Sequence, residues 1–331
     1  LWRVGFSCSH YFYNGRRRKE YGSINSTSKG AIMKIFGAGL SGLIAGMANP
    51  KAKIFERGKY GQQGHQALLR FRDSSVSDMT GIKFKKVKVI KAIWSDGKER
   101  QPSPRLVALY SNKNTGHFEN RSIMDITTTE RFIAPDDFHK QLVKECEDRI
   151  VYEYVVDEND YRTNEDIIST LPLSFNASML GYKFDTERNK SRIYVTRIEI
   201  DNCDMYTTVY YPDPDTSVYR ASITGKTLII ESKESIQEAD ISLVIDSMGL
   251  SYSSFNIVLD NHIQPMGKLS EVNDSERRMM IYQMSHDHGV FSLGRFALHK
   301  NILLDDVAKD IRVIKAMMAD DSYGVSTMGR V

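Results

Sequence analysis

The chain is poor in cysteine. It has three among 331 residues, Cys8, Cys146 and Cys203, and no two form a CxxC pair. That excludes a disulfide scaffold and fits a reducing, cytoplasmic setting. No apolar run approaches the roughly 20 residues that span a bilayer, so no membrane role is expected. Repeats and low-complexity tracts are missing as well. With 41% apolar and 26% charged residues, the composition is that of an ordinary globular chain. Its length suffices for one large or two modest domains with a self-supporting core.

An excess of charge is also missing from the body of the chain. Residues 1–32 hold six basic residues and one acid, whereas the other 299 residues hold 39 basic and 41 acidic ones. The overall charge of +3 therefore comes from the leader, and no nucleic-acid binding is expected. Residues 1–32 are rich in Arg, Ser, Tyr and Gly and show neither helical nor strand periodicity. They read as upstream sequence outside the fold, or as an Arg/Ser-rich targeting peptide. Met33-Lys34-Ile35-Phe36-Gly37 reads as the true opening strand.

From there the pattern predicts a strand to Phe36, a glycine turn over Gly37–Gly42, a helix over Leu40–Ala48 and a strand over Lys53–Phe55. Asn49-Pro50 stops the helix, because a residue before proline avoids helical geometry. Further strands are expected over Phe84–Trp94, Leu106–Tyr110, Ser122–Thr127, Ile150–Val156, Asp166–Leu171 and Gly289–Phe296. A polar loop is expected over Lys98–Arg105. Helices are expected from Pro135 to about Glu147, over Ser235–Ser247 and over Leu304–Met318, the last with Asp305 and Asp306 at its positive end. Arg192–Ile200, Met205–Tyr211, Val218–Ile223 and Thr227–Glu231 form a run of β signals that looks antiparallel. The expected class is α/β. A Rossmann-like cofactor domain would be built from residues 33–72, 130–172 and 285–331. A largely antiparallel substrate domain would be inserted at 73–129 and 173–284.

Gly37-Ala38-Gly39-Leu40-Ser41-Gly42 is a GxGxxG between a strand and a helix. Gly37 allows the tight turn, Gly39 lets the backbone approach a pyrophosphate, and Gly42 lets helix and strand pack closely. The opening helix offers unpaired N–H groups to phosphate. Glu56, with Arg57 beside it, ends the next strand and can accept both hydroxyls of an adenosine ribose. This pattern implies a dinucleotide but does not choose between FAD and NAD. Two stretches favour the longer FAD: the glycine-bearing loop at 59–65, and a second glycine turn and helix start over Gly294–Val307.

Together these residues resemble the FAD-dependent amine-oxidase-like superfamily, and within it the UDP-galactopyranose mutase-like flavoproteins. The resemblance runs through scattered motifs between residues 33 and 318. Asp166–Leu173 is similar to the strand that closes the cofactor domain. Tyr210-Tyr211-Pro212-Asp213 with Val218–Ile223, and Gly294-Arg295 with Leu304–Val307, are similar to mutase segments. The resemblance implies FAD contacts at Gly294, Arg295, Leu304 and Asp305, and makes Arg220 a ligand for substrate phosphate. Where the mutases place phosphate-holding tyrosines, this chain has His299 and Ile302.

The residues themselves suggest Arg70 and Arg72 as a basic wall of the substrate pocket, on one side of a strand. His65 and His299 are the candidate functional histidines near the flavin, His299 also as a substrate ligand. His286-Asp287-His288 reads as a surface turn, with no metal expected. The expected function is FAD-dependent oxidoreduction, or mutase-like chemistry, on a small polar substrate such as a sugar nucleotide. An NAD-dependent dehydrogenase and a non-catalytic nucleotide-binding module remain alternatives. Oligomeric state is not legible.

Overall fold

Ile35 and Phe36 are both fully buried on successive positions of one short strand. Only a strand covered on both faces has that pattern, and it belongs to a parallel sheet. The computed structural model describes residues 33–61, 69–118, 122–163, 165–184, 191–251, 253, 255–269 and 272–319, which lie in one compact unit. In chain order the elements are β1 (Lys34–Phe36), α1 (Leu40–Ala48), β2 (Lys53–Phe55), β3 (Arg70–Phe71), α2 (Ser75–Thr80), β4 (Lys85–Ser95), β5 (Lys98–Arg100) and α3 (Pro104–Thr115). Then come β6 (Thr129–Ile133), α4 (Phe138–Cys146), β7 (Ile150–Val151), α5 (Glu158–Tyr161), β8 (Ile167–Ser169), α6 (Leu173–Met179), β9 (Ser191–Ile200) and β10 (Met205–Tyr210). The chain continues with β11 (Val218–Gly225), β12 (Thr227–Ser232), α7 (Glu238–Met248), β13 (Phe255–Lys268), α8 (Asp274–His288), β14 (Val290–Ser292), α9 (Gly294–Ala297) and α10 (Leu304–Ala319).

The fold is α/β with two sheets. The first is parallel and ordered β14-β8-β1-β2-β7. Alternate residues feed two cores. Ile35, Ile54, Ile168 and Phe291 pack with α1, α2, α4 and α10, while Phe36, Ile167 and Val290 pack with Tyr161, α6 and α8. The second sheet runs β13-β9-β12-β11-β10-β4-β6-β3, with β5 on β4. Its pairings are antiparallel except β10 with β4. Val244 of α7 packs on one of its faces, and Val107 and Tyr110 of α3 on the other. No helix among the described residues is long and apolar enough to cross a membrane.

Several expectations need correction. Leu106–Tyr110 is helical, within α3. Ser103 caps that helix, its hydroxyl accepting from Leu106 N–H, and Pro104 opens it. Lys98–Arg100, expected as loop, is the return strand of a hairpin on β4. Ser122–Met124 is a 3₁₀ turn rather than a strand. The strand expected over Gly289–Phe296 stops at Ser292, and a helix starts at Gly294. His286 and His288 end α8 instead of forming a free turn. Helices α6 and α8, assigned to the substrate portion, pack on the parallel sheet, whereas β3 and most of β6, assigned to the cofactor portion, pair in the larger sheet.

Strand order decides where a ligand fits. From β1 the chain moves outward through β2 to β7, then returns to the other side of β1 through β8 and β14. The reversal opens a crevice at the carboxyl ends of β1 and β8, the place where open α/β sheets bind ligands. Gly37 and Thr170 face each other there, with Thr170 Oγ1 donating to the Phe36 carbonyl at 2.8 Å. A Cβ on Gly42 would collide with the Gly37 carbonyl oxygen, so α1 can sit this low on the sheet only with glycine. Gly42→Ala is expected to lower stability by about 3 kcal/mol, the upper part of the overpacking range. A thermal melt indistinguishable from the parent's would refute this account of the helix–strand contact.

Candidate functional site

Gly37 takes φ +94°, a left-handed conformation that glycine adopts freely, and a Cβ there would strike Thr170 Oγ1. Gly39 then caps α1 without a side-chain hydrogen bond. No acid lies in the helix's own first turn. Around the place where a Gly39 Cβ would stand, no heavy atom comes within 4 Å. Glu56 reaches back to this turn. Its Oε2 accepts from Ala38 N–H at 2.8 Å and its Oε1 from Gly58 N–H at 2.7 Å. Each carboxylate oxygen keeps a further lone pair, so donors from a sugar can still be accepted.

The closing segment comes to the same place. β14 lies against β8, with Ser292 opposite Ser169. Gly294 follows at φ +85°, and a Cβ there would stand 2.7 Å from Ser41 Oγ. The two glycine turns, more than 250 residues apart, thus touch. Arg295 is the second residue of α9, half-buried, and burial pushes its guanidinium pKa down. His299 follows α9 with φ +44°, unusual outside glycine. His65 lies outside the described residues, and Arg57 makes no described side-chain bond.

Arg70 and Arg72 do not form one wall. The strand that holds Arg70 ends at Phe71, and the two guanidiniums part. Arg72 crosses to α10. Its backbone N–H and Nε reach Asp305 at 2.9 and 3.0 Å, and its Nη2 reaches Asp306 at 2.7 Å. Burial works against the Arg72 charge, but the hydrogen bonds to Asp306 and Asp305 outweigh it and raise its pKa. Asp305 is 1% exposed, and its carboxylate is committed to Arg72. Leu304 packs on the core beneath α10.

Arg70 crosses to the larger sheet. It donates to Thr224 Oγ1, to Thr208 Oγ1 at 2.8 Å, and to the carbonyls of Thr207 and Ile223. Burial and the nearby charge of Arg220 push its pKa down to about 10, so it stays charged at neutral pH. Arg220 lies on the same sheet, opposite Tyr210 in the register of β10 and β11. Its Nε and Nη2 clasp Glu231 of β12. Glu231 holds the Arg220 pKa well above its usual value, and 41% of the Arg220 side chain still meets solvent. Nη1 of Arg220 has no hydrogen-bond partner among the described residues.

Two buried hydroxyls at the carboxyl edge of the parallel sheet also lack partners: Ser292 Oγ, and Tyr152 Oη just beyond β7. Buried polar atoms are normally satisfied, so both hydroxyls could donate to a ligand at this edge. The open volume at Gly39, the bare end of α1, Glu56 and these hydroxyls fit a dinucleotide laid along the edge. His286 and His288 fit no metal site, since Nδ1 of the first meets Asp287 at 2.8 Å and Nε2 of the second meets Tyr182 at 3.0 Å. A cleft of about 950 Å³ opens elsewhere, between Trp94, Arg105, Asp213 and Asp240, and no sequence-predicted site residue lines it.

Sequence reasoning missed Thr170, Tyr152, Ser292 and Glu231. Thr170 alone carried a signal, since it is the first residue past a strand that the pattern had found.

No family model matches the chain, and no curated protein matches it in sequence. Solved structures do match in fold. Reduced UDP-galactopyranose mutase superposes with a TM-score of 0.61 at 12% identity, over 90% of this chain and 97% of that one. The CLA-producing fatty acid isomerase of P. acnes gives 0.53 at 13%, over 89% and 99%. A structural-genomics target protein of Pyrococcus furiosus gives 0.51 at 13%, over 86% and 96%. At such identities the likeness establishes the fold alone.

Gly39→Ala is expected to change the stability of the ligand-free protein little, by about 1 kcal/mol or less, since the added methyl meets nothing and only the cap preference shifts. FAD binding, followed by quenching of flavin fluorescence, should weaken at least tenfold. Undiminished binding would show that no phosphate approaches this backbone.

Proposed function

We propose that the chain is an FAD-dependent enzyme, an oxidoreductase or a redox-neutral mutase-like enzyme, acting on a small anionic polar substrate. The observation that carries this reading is the contact of the two glycine turns, Gly294 against Ser41, at the crevice of a parallel sheet. A mononucleotide needs one such turn. A cofactor long enough to be gripped by both the opening helix and the closing segment explains why they meet. The fold shared with the mutase and the isomerase supports a flavin enzyme, and the sequence motifs name FAD.

In this reading the N–H groups at the start of α1 bind the pyrophosphate, and Glu56 accepts the ribose hydroxyls. Ser292, Gly294 and Arg295 line the path towards the redox head. Arg72, through Asp305 and Asp306, holds the start of α10 in place. When bound, FAD supplies the electron acceptor, or the nucleophile, that no side chain here provides. The parallel sheet and its helices make the cofactor portion, and the larger sheet makes the substrate portion.

Charge on the larger sheet suggests the substrate class. Arg70 and Arg220 lie close enough there to repel each other, and both interact with one carboxylate, Glu231. The surplus is positive. Arg70 has spent four of its five N–H donors on the protein, so it contributes field. Arg220 keeps Nη1 to bind an anionic oxygen directly. A sugar nucleotide and a carboxylate both meet this requirement.

Purified protein should be yellow, and mass spectrometry of the released cofactor should find FAD. A folded, colourless protein that rejects added FAD would overturn the proposal. Arg220→Gln should weaken UDP binding to the holoprotein roughly tenfold or more, the worth of a charged hydrogen bond. Calorimetry reads the loss, and an unchanged affinity would remove Arg220 from the substrate site.

A further inference from the structure

Tyr152 stands one residue beyond β7, beside the acid that the glycine turn requires. Glu56 N–H donates to the Val151 carbonyl, and Tyr154 N–H donates to the Glu56 carbonyl, which stitches the two segments together. Alternation places Ile54 and Ile150 in the core under α1, and the Tyr152 ring packs against that same core. Tyr60 meets this ring edge-on, with centroids 5.5 Å apart and planes at 88°. Tyr60 itself is 64% exposed, a large aromatic side chain left in water at the rim. The Tyr152 hydroxyl is the opposite case, buried and without any partner. Burial, with Tyr60, Glu147 and Glu56 nearby, pushes its pKa up, so it stays a neutral donor.

These features belong to the base end of a nucleotide, not to its phosphate end. Phosphate is drawn to the bare start of α1 and repelled by Glu56. A flat neutral heterocycle needs an aromatic surface and a directed donor, and Tyr60 and Tyr152 supply them on the far side of Glu56. We infer that Tyr152 donates its buried hydroxyl to a ring nitrogen of the adenine, and that Tyr60 covers the base. This inference rests on the proposal that the crevice takes an adenine dinucleotide.

Tyr152→Phe tests it with two readouts. Melting of cofactor-stripped protein should be unchanged or higher, because the substitution removes an unsatisfied hydroxyl. Affinity for ADP, measured by calorimetry, and for FAD, measured by fluorescence quenching, should fall about two- to tenfold, the range of one neutral hydrogen bond. Tyr60→Ala, at an exposed position, should also weaken ADP binding and serves if the first variant does not fold. Wild-type affinity for ADP in either folded variant would overturn the inference while leaving FAD binding intact. A lower melting temperature for Tyr152→Phe would also overturn it, because the hydroxyl would then have a partner inside the protein. Wild-type protein that binds FAD normally but not ADP would sink the inference alone. Protein that binds neither would sink the dinucleotide proposal itself.

Discussion

Gly294 and Ser41 come so close that hydrogen is the only side chain the contact admits. The rest of the site follows from this approach. It requires β14 to lie in register beside β8 and β8 beside β1, so that the closing segment arrives at the opening helix. It requires the carboxyl end of β1 to turn at once, which Gly37 does, with Thr170 bonded to the carbonyl before it. Protein interiors are packed near crystalline density, so neighbours cannot yield to accommodate a methyl group at such a point. The crevice is walled by two positive-φ glycines and the short side chains of Ser41 and Thr170.

Arg70, Phe71 and Arg72 join this crevice to everything else. Phe71 is 2% exposed and lies in the core beneath α1, against Phe84 and Phe138. The arginine before it crosses to the threonines of the larger sheet, and the arginine after it clamps the start of α10. Three successive residues therefore pin three parts of the molecule. The two clamps differ in kind. Arg70 is satisfied by neutral oxygens and keeps its charge. Arg72 is neutralised by two carboxylates, one of them deeply buried, and a carboxylate left without its partner there would be strongly destabilising. One clamp adds positive field to the sheet, and the other adds only position.

What the sequence made legible was local. The glycine turn, the helix over Leu40–Ala48 and the strand over Lys53–Phe55 appear where the pattern puts them, because each depends on a few neighbouring residues. Leu106–Tyr110 misled because an apolar run of five suits a strand as well as a buried helix face. Ser103-Pro104, a cap and a first-turn proline, was the available cue. Arg70 and Arg72 misled differently. Alternation along a strand holds only while the strand lasts, and this one ends between them. Their partners lie 154 and 233 residues away, a separation that no local pattern encodes. Tyr152 looked like one more strand residue until its burial and its empty hydroxyl were visible together.

Volume and chemistry choose different places on this molecule. The cleft beside Trp94 is wide, but its carboxylates Asp213 and Asp240 are already engaged. Asp213 takes the Ser95 hydroxyl and the Asp96 N–H, and Asp240 takes Thr216. Behind it, Lys113 rests on three backbone carbonyls. At the carboxyl edge of the parallel sheet the local rules fail together, with Gly37, Gly294 and His299 at positive φ, a helix end without a side-chain cap, and buried hydroxyls without partners. A fold tolerates such departures where a ligand completes them, and their concentration along one edge is what separates a binding site from a groove.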